Sequence, residues 1–225
     1  MKKKLFNFIS ILRAFRSYRQ GSNDLSTRLY FDYKNLDKSP KLHDDLYRTL
    51  CKGIDILDLL GVQYSLGRGT MLGLFRDGKF TKGDNDIDID VFNDYDVYRI
   101  IAKMPFDLVF TTISNGRYQQ LVFKDPENNV IFDIWFYTRM GANLLNRHDQ
   151  GIFTLPVNAV SGREMLEYQD RKFSVYKGDW YCRYWYGINW KSPVFYSKDW
   201  ITFYKEDCEA FNFSPVKDPV YLQCH

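Results

Sequence analysis

The stretch that most constrains how this chain can fold is GDNDIDIDVF, residues 83 to 92, in which acidic and apolar residues alternate. Alternation with a period of two predicts a β-strand, because successive side chains of a strand point to opposite faces of the sheet. We expect Ile87, Ile89 and Val91 to face a hydrophobic core. The carboxylates on the other face would recur about every 7 Å. They belong to Asp86, Asp88 and Asp90, with Asp84 just ahead of the strand.

Carboxylates at this spacing repel one another unless a cation lies between them. Hard divalent ions such as Mg²⁺ prefer oxygen ligands of this kind, so the stretch predicts a metal site. A solvent-facing edge strand is an alternative, but such edges favour lysine over a row of acids. An EF-hand loop that started at Asp84 would need glycine at its sixth position and glutamate at its twelfth. This chain has Ile89 and Tyr95 there, which argues against calcium binding of that type.

A glycine-rich turn, LGRGTMLGLFRDG at residues 66–78, comes directly before the acidic strand. Gly69 would let the backbone approach an anion closely, and Thr70 would add a hydroxyl donor. A helix that began here would direct its free N–H groups at the same anion. Arg76 is either a bidentate phosphate ligand or a surface residue. The position of the turn next to the acids favours phosphate binding.

Asp133 is the single acid in the apolar run NVIFDIWFY. A carboxylate among such residues is costly to bury unless it is paired or coordinated. Two hypotheses follow from the residues alone. In one, Asp133 is a structural acid that is paired inside the core. In the other, it is a further metal ligand that can take a proton from an attacking hydroxyl.

The wider pattern predicts a mixed α/β chain. Apolar residues at helical spacing predict a helix that begins after Ser39-Pro40 and ends at Gly61. A short strand, the glycine-rich turn with a short helix, the acidic strand and a helix capped by Asn93 follow. Further strands are predicted at residues 106–113, 118–123 and 130–137, and beyond residue 140 the sequence looks irregular and aromatic.

Residues 1–38 are predicted to be a basic amphipathic segment followed by a linker, and residues 39–225 a single domain that contains the acidic strand. The apolar run from Leu5 to Leu12 is far shorter than the roughly 20 residues that a membrane-spanning helix needs, and no signal peptide is predicted. We therefore expect a cytoplasmic protein. Its N-terminal segment would contact either a partner or the inner face of the membrane.

Charge and cysteine content narrow the choice of partners. A net charge of +3 on 225 residues gives no indication of a nucleic-acid partner. The cysteines form no C-x-x-C pair, which predicts free thiols in a reducing compartment rather than disulfides or a zinc site. They are Cys51, Cys182, Cys208 and Cys224.

Together the motifs resemble the LicD/fukutin-related family, which shares the nucleotidyltransferase fold of DNA polymerase β. The family pattern is G-T-x-L-G-x-x-R-x-G-x-F, then a D-x-D-x-D strand, then a lone aspartate on a later hydrophobic strand. The matching residues are Gly69, Thr70, Leu72, Gly73, Arg76, Gly78, Phe80, Asp84, Asp86, Asp88 and Asp133. The segment YGINWKSP, residues 186–193, is similar to a later family signature. The chain departs from the family at Asp77, Lys82-Gly83 and Asn85.

The resemblance implies a mixed sheet with flanking helices and a phosphotransferase that uses Mg²⁺ or Mn²⁺. A CDP-linked donor, such as CDP-choline or a CDP-alditol, would pass its phospho-substituent to a glycan hydroxyl of a surface polysaccharide or lipopolysaccharide. Asp86 and Asp88 would bind the metal with help from Asp84, and Asp133 would bind metal and act as the base. The catalytic residues would thus be Asp86, Asp88 and Asp133, and the phosphate ligands Gly69, Thr70 and Arg76.

Three other functions remain open at this point. A nucleotidyltransferase that uses a nucleoside triphosphate shares all these motifs but leaves a nucleotidyl group on its product. A D-x-D glycosyltransferase also uses a metal-bound nucleotide sugar, but does not explain the turn before the acids. A protein that only binds carbohydrate would keep its ligand affinity after Asp86→Ala.

Overall fold

The computed structural model describes residues 26–30, 39–92, 97–114, 116–148, 151–193, 211–212 and 220–223. These residues form a mixed α/β fold with a nine-strand mixed sheet and five helices. The helices are α1 (His43–Leu59), α2 (Arg68–Asp77), α3 (Val97–Lys103), α4 (Val157–Ser161) and α5 (Gly178–Tyr186).

The strands are β1 (Ser26–Tyr30), β2 (Tyr64–Leu66), β3 (Asp86–Phe92), β4 (Asp107–Ser114), β5 (Arg117–Lys124), β6 (Ile131–Met140), β7 (Asn143–His148), β8 (Gly151–Pro156), β9 (Glu164–Tyr168), β10 (Arg171–Val175), β11 (Phe211–Asn212) and β12 (Val220–Gln223). The main sheet has the order β12-β1-β4-β5-β6-β3-β2-β10-β9. The far end of β6 also pairs with β7, which continues through β8 to β11. The acidic strand β3 lies inside the sheet, between β2 and β6.

The hydrophobic core covers the apolar face of β3. Ile87, Ile89 and Val91 are fully buried, as the alternation predicts. Helix α1 packs on this face and passes so close to β6 that a Cβ on Gly53 would lie 2.2 Å from the ring of Phe132. Only glycine permits this approach, so the helix holds β3 and β6 together from the side opposite the acids.

Helix α2 is short because glycine bounds it at both ends. It begins after Gly67 and ends at Gly78, whose left-handed conformation, with φ +63°, closes the helix. A Cβ on Gly73 would lie 2.7 Å from the backbone nitrogen of Thr81, so the segment after the helix folds back tightly against it. The chain returns in this way to the start of β3 and brings Asp84 beside the beginning of α2.

Most of the predicted elements between residues 39 and 140 are confirmed within a few residues at their ends. Helix α1 begins at His43 rather than directly after Ser39-Pro40, with Leu42 at its N-cap. The predicted strands correspond to β4, β5 and β6. Helix α3 lies where a helix was expected, but its predicted cap, Asn93, falls outside the described residues.

Two expectations are corrected. The described part of residues 141–193 is not irregular: it contains β7 to β10, α4 and α5. The period-two signal is weak there, since apolar residues also occupy the less buried face of β8. Residues 26–30, predicted as part of a linker, form β1, which pairs with β4 and β12. The linker therefore does not include these five residues.

The described helices include none that is long and apolar enough to cross a bilayer. Cys51 and Cys182 are free thiols. Residues 1–25, with the proposed membrane or partner contact, lie outside the described residues, as do Cys208 and Cys224.

Candidate active site

The predicted acids meet on two neighbouring strands. Strands β3 and β6 run parallel with Asp88 directly opposite Asp133. Residues opposite each other on paired strands point to the same face, so the two carboxylates lie side by side on the face that also carries Asp86 and Asp90. Asp88 is only 8% exposed and Asp133 only 7%. The parallel register therefore brings together two acids that are far apart in the sequence.

The beginning of α2 lies over these acids. The backbone N–H of Asp88 donates a 2.9 Å hydrogen bond to the Thr70 hydroxyl, and the N–H of Gly67 donates to the Asp88 carbonyl. A Cβ on Gly69 would lie 3.7 Å from both carboxylate oxygens of Asp84 and 3.8 Å from Oδ2 of Asp88. The two carboxylates thus converge on one point above the Gly69 Cα. Thr70 is fully buried, and its hydroxyl attaches α2 to β3.

Two carboxylate oxygens of this group are buried without a hydrogen-bond partner among the described residues, Oδ2 of Asp84 and Oδ1 of Asp133. Two other carboxylate oxygens of the group each accept one hydrogen bond. The Gln120 amide donates a 2.7 Å bond to Oδ2 of Asp133, and the indole N–H of Trp135 donates a 3.2 Å bond to Oδ1 of Asp88. A buried carboxylate oxygen without a donor is costly. A cation would offset that cost.

The same crowding makes the acids hard to ionise. Burial, and then the charge of Asp88, raise the pKa of Asp84 to about 7. Burial and the neighbouring Asp84 raise the pKa of Asp86. Burial also raises the pKa of Asp88 and of Asp133, and the nearby carboxylates add to both shifts. Without a bound cation the group therefore resists full ionisation at neutral pH.

This arrangement predicts an unusual pH dependence of stability. Unfolded aspartates ionise near pH 3.9. Because the folded pKa values are raised, the folded chain binds more protons than the unfolded chain above that pH, and the free energy of unfolding falls as pH rises. We therefore expect the melting temperature in EDTA to fall as the pH rises from about 4, where unfolded aspartates ionise, to about 7, the raised pKa of Asp84 in the folded chain. In saturating Mg²⁺ the slope should flatten. Equal slopes in EDTA and Mg²⁺ would contradict a cation site.

Arg68 is a part of the site that sequence reasoning missed. It lies between the two glycines that begin α2, with a φ of +42° that is rare outside glycine. Its Nη1 donates a 2.7 Å hydrogen bond to Oδ1 of Asp90, and Nη2 donates to the Tyr137 hydroxyl at 3.3 Å. The guanidinium carbon lies 3.7 Å from the centroid of the Trp135 ring. A cation is thus buried within the row of acids.

Asp90 consequently differs from the other acids. It is fully buried and bonded on both oxygens, since the Tyr176 hydroxyl donates to its Oδ2 at 2.9 Å. The charge of Arg68 also opposes the rise in pKa that burial causes in Asp86, Asp88 and Asp133. We conclude that Asp90 holds Arg68 in place, and that Arg68 is a structural counter-ion for Asp86, Asp88 and Asp133. The available sequence signal was weak: an arginine in a glycine-rich turn looks the same whether it binds a ligand or a buried acid.

Arg76 lies apart from the acids. It follows Gly69 by seven residues, which is about 10 Å along the axis of α2. Its guanidinium bonds both carboxylate oxygens of Asp77, at 2.9 and 2.7 Å, and the carbonyl of Trp190 at 3.3 Å. It therefore connects the end of α2 to the segment of residues 186–193, whose sequence resembles the later family signature.

The role of Arg76 as a phosphate ligand stays a prediction, and Arg76→Ala tests it. A guanidinium on a donor pyrophosphate is worth roughly 1.5–3 kcal/mol, so its loss should weaken donor binding about 10- to 150-fold. If Arg76 only connects α2 to Trp190, the substitution should lower the melting temperature and leave donor binding unchanged. Titration of CDP-choline and other CDP donors, with thermal denaturation of the same samples, separates the two results.

The carboxylate oxygens of this group of acids are the kind of ligand that a hard divalent ion prefers. Among the described residues, no three or more His, Cys, Asp or Glu side chains form a ready-made metal-binding cluster. The group nevertheless supplies only carboxylate oxygens, two of them buried without a donor, and carboxylates of this kind suit Mg²⁺ or Mn²⁺. The residues that would hold the ion are Asp84, Asp86, Asp88 and Asp133.

Comparison of the chain with protein-family models and with curated proteins found no match. A function for this chain is therefore inferred from the acids of β3 and β6 and from the beginning of α2.

Proposed function

We propose that this chain is a divalent-metal-dependent phosphotransferase with a nucleotidyltransferase fold. It would move a phospho-substituent, such as phosphocholine or an alditol phosphate, from a CDP-linked donor to a glycan hydroxyl. The observation that carries the proposal is the pair Asp88 and Asp133, side by side on parallel strands under the beginning of α2. A purely structural pair of buried acids would not leave a carboxylate oxygen without a donor.

The beginning of α2 suits the phosphate end of a donor. Gly69 has no side chain, and its Cα faces the carboxylates of Asp84 and Asp88. A helix N-terminus favours negative charge, because its first N–H groups have no partner within the helix. Thr70 would act indirectly, since its hydroxyl already accepts the Asp88 N–H and fixes the helix on β3.

In the proposed reaction an oxygen of the glycan attacks the donor phosphorus that carries the substituent. The bond from that phosphorus to the oxygen of the cytidylyl phosphate breaks, so CMP leaves and a phosphodiester links substituent and glycan. Asp133 accepts the proton of the attacking hydroxyl through Oδ1, for which the described residues provide no hydrogen-bond donor. A bound divalent ion would supply charge stabilisation for the phosphate oxygens. The protein otherwise contributes positioning.

The test is to incubate the protein and Mg²⁺ with a panel of glycans and either CDP-choline, CDP-glycerol or CDP-ribitol or, in parallel, a nucleoside triphosphate or a nucleotide sugar, and to follow products by mass spectrometry. We expect CMP, and a glycan whose mass rises by the phospho-substituent. Asp88→Asn should abolish both. Pyrophosphate release from a nucleoside triphosphate, with a nucleotidyl group on the acceptor, would instead identify a nucleotidyltransferase. Transfer of a sugar without its phosphate would identify a glycosyltransferase.

A further inference from the structure

A line of hydrogen bonds crosses three strands and ends on Asp133. The Thr112 hydroxyl on β4 donates to Oε1 of Gln120 on β5, at 3.3 Å. The Nε2 of Gln120 then donates a 2.7 Å bond to Oδ2 of Asp133 on β6. Thr112 lies directly opposite Gln120 in the antiparallel pairing of β4 and β5. Gln120 lies diagonally across from Asp133, since its direct partner on β6 is Trp135.

The direction of this line follows from the donors available. A threonine hydroxyl can donate to the amide oxygen, which leaves the amide N–H₂ to donate to a carboxylate. All three side chains are buried, so water does not compete for these bonds. The Gln120 amide is consequently held with its donor towards Asp133, and among the described residues the Asp133 carboxylate is held by Oδ2 alone.

We propose that Gln120 is a positioning residue for Asp133. By binding Oδ2, it turns Oδ1 towards the point where Asp84 and Asp88 converge. Thr112 orients the Gln120 amide for this task. The inference rests on the proposed function in one respect: Asp133 must be a metal ligand.

The chain offers a matched control in the adjacent residue. Gln119 and Gln120 are both 3% exposed, but Gln119 lies at an irregularity in the pairing of β4 and β5 and has different partners. The side chain of Gln119 bonds the backbone at Arg147 and Arg117, not Asp133. Methionine is close to glutamine in length and volume but has no amide. Gln119→Met and Gln120→Met therefore remove similar buried amides, of which only one contacts the site.

The experiment is a titration of Mn²⁺ into the full chain, with free Mn²⁺ followed by electron paramagnetic resonance. Gln120→Met should weaken Mn²⁺ binding roughly 10- to 100-fold, as expected for loss of a hydrogen bond that orients a metal ligand. Gln119→Met should leave Mn²⁺ affinity unchanged, even if its melting temperature falls. In an Asp133→Asn background, Gln120→Met should have no further effect on affinity. Thr112→Val, a smaller change, should weaken binding in the same direction and replaces Gln120→Met if that variant does not fold.

The outcomes separate this inference from the proposed function. If Asp133→Asn weakens Mn²⁺ binding while Gln120→Met and Thr112→Val do not, Gln120 is only a structural residue and the inference fails alone. If the unmodified chain does not bind Mn²⁺, or Asp133→Asn binds it equally well, the metal role of Asp133 fails, and the inference fails with it. Equal weakening by Gln119→Met would indicate general loosening of β5 and would also overturn the inference.

Discussion

Asp133→Asn is expected to lower the transfer rate by at least roughly 10²- to 10⁴-fold, the effect typical of losing a general base. The same substitution should leave the melting temperature of the metal-free protein unchanged or raise it. The reason is that, within the described part of the chain, Asp133 is bonded by the Gln120 amide and by no cation, and the oxygen of an asparagine can still accept that bond. Removal of one charge from a crowded, buried group of acids relieves repulsion. Thermal denaturation in EDTA and product analysis of the same variant test both parts.

Asp125 provides the control, because it is a buried aspartate of the structural kind. It accepts a hydrogen bond from Thr49 and forms an ion pair with Lys52 at 3.2 Å. Asp125→Asn should therefore lower the melting temperature and leave Mn²⁺ affinity unchanged, the reverse of the pattern expected for Asp133→Asn. A large drop in the melting temperature of Asp133→Asn in EDTA would show that Asp133 is also structural. That result would remove the support for its catalytic role, even if activity vanished.

Arg68→Met should be the most destabilising single change in the site. It leaves Asp90 fully buried without its cation, and the cost of breaking a buried ion pair in this way is about 3–5 kcal/mol. For a chain of this size the melting temperature should fall by about 6–20 °C. The double variant Arg68→Met, Asp90→Asn should be more stable than Arg68→Met alone, because it leaves no unpaired buried charge at this position. Denaturant unfolding of Arg68→Met, of Asp90→Asn and of the double variant measures the coupling.

Arg171 serves as the surface comparison for Arg68. It pairs with the exposed Asp55 at 2.6 Å, and exposed ion pairs contribute at most about 1 kcal/mol. Arg171→Met should therefore change stability far less than Arg68→Met. If the two variants lost the same stability, Arg68 would not be the counter-ion of the buried acids.

The sequence was sufficient for local structure around the site. Alternation over residues 86–92 predicted β3, and a short helix was expected with the glycine-rich turn before it; both elements are confirmed, the helix as Arg68–Asp77. The apolar run around Asp133 predicted β6 in the same way. These signals depend only on neighbouring residues, so they can be read without knowledge of the rest of the chain. Beyond residue 140 the elements are short, and apolar residues also occupy the less buried face of β8, so the same method failed there.

Only the tertiary structure decided how the acids divide their roles. The alternation of acidic and apolar residues does not distinguish Asp86, Asp88 and Asp90, since it places all of them on one face of the strand. Their differences come from partners elsewhere in the chain: Asp88 lies beside Asp133, and Asp90 binds Arg68. Such pairings depend on strand register and on where α2 rests on the sheet. A slip of one residue would turn every carboxylate of β3 into the core, so the register of the whole sheet selects which aspartates face the site.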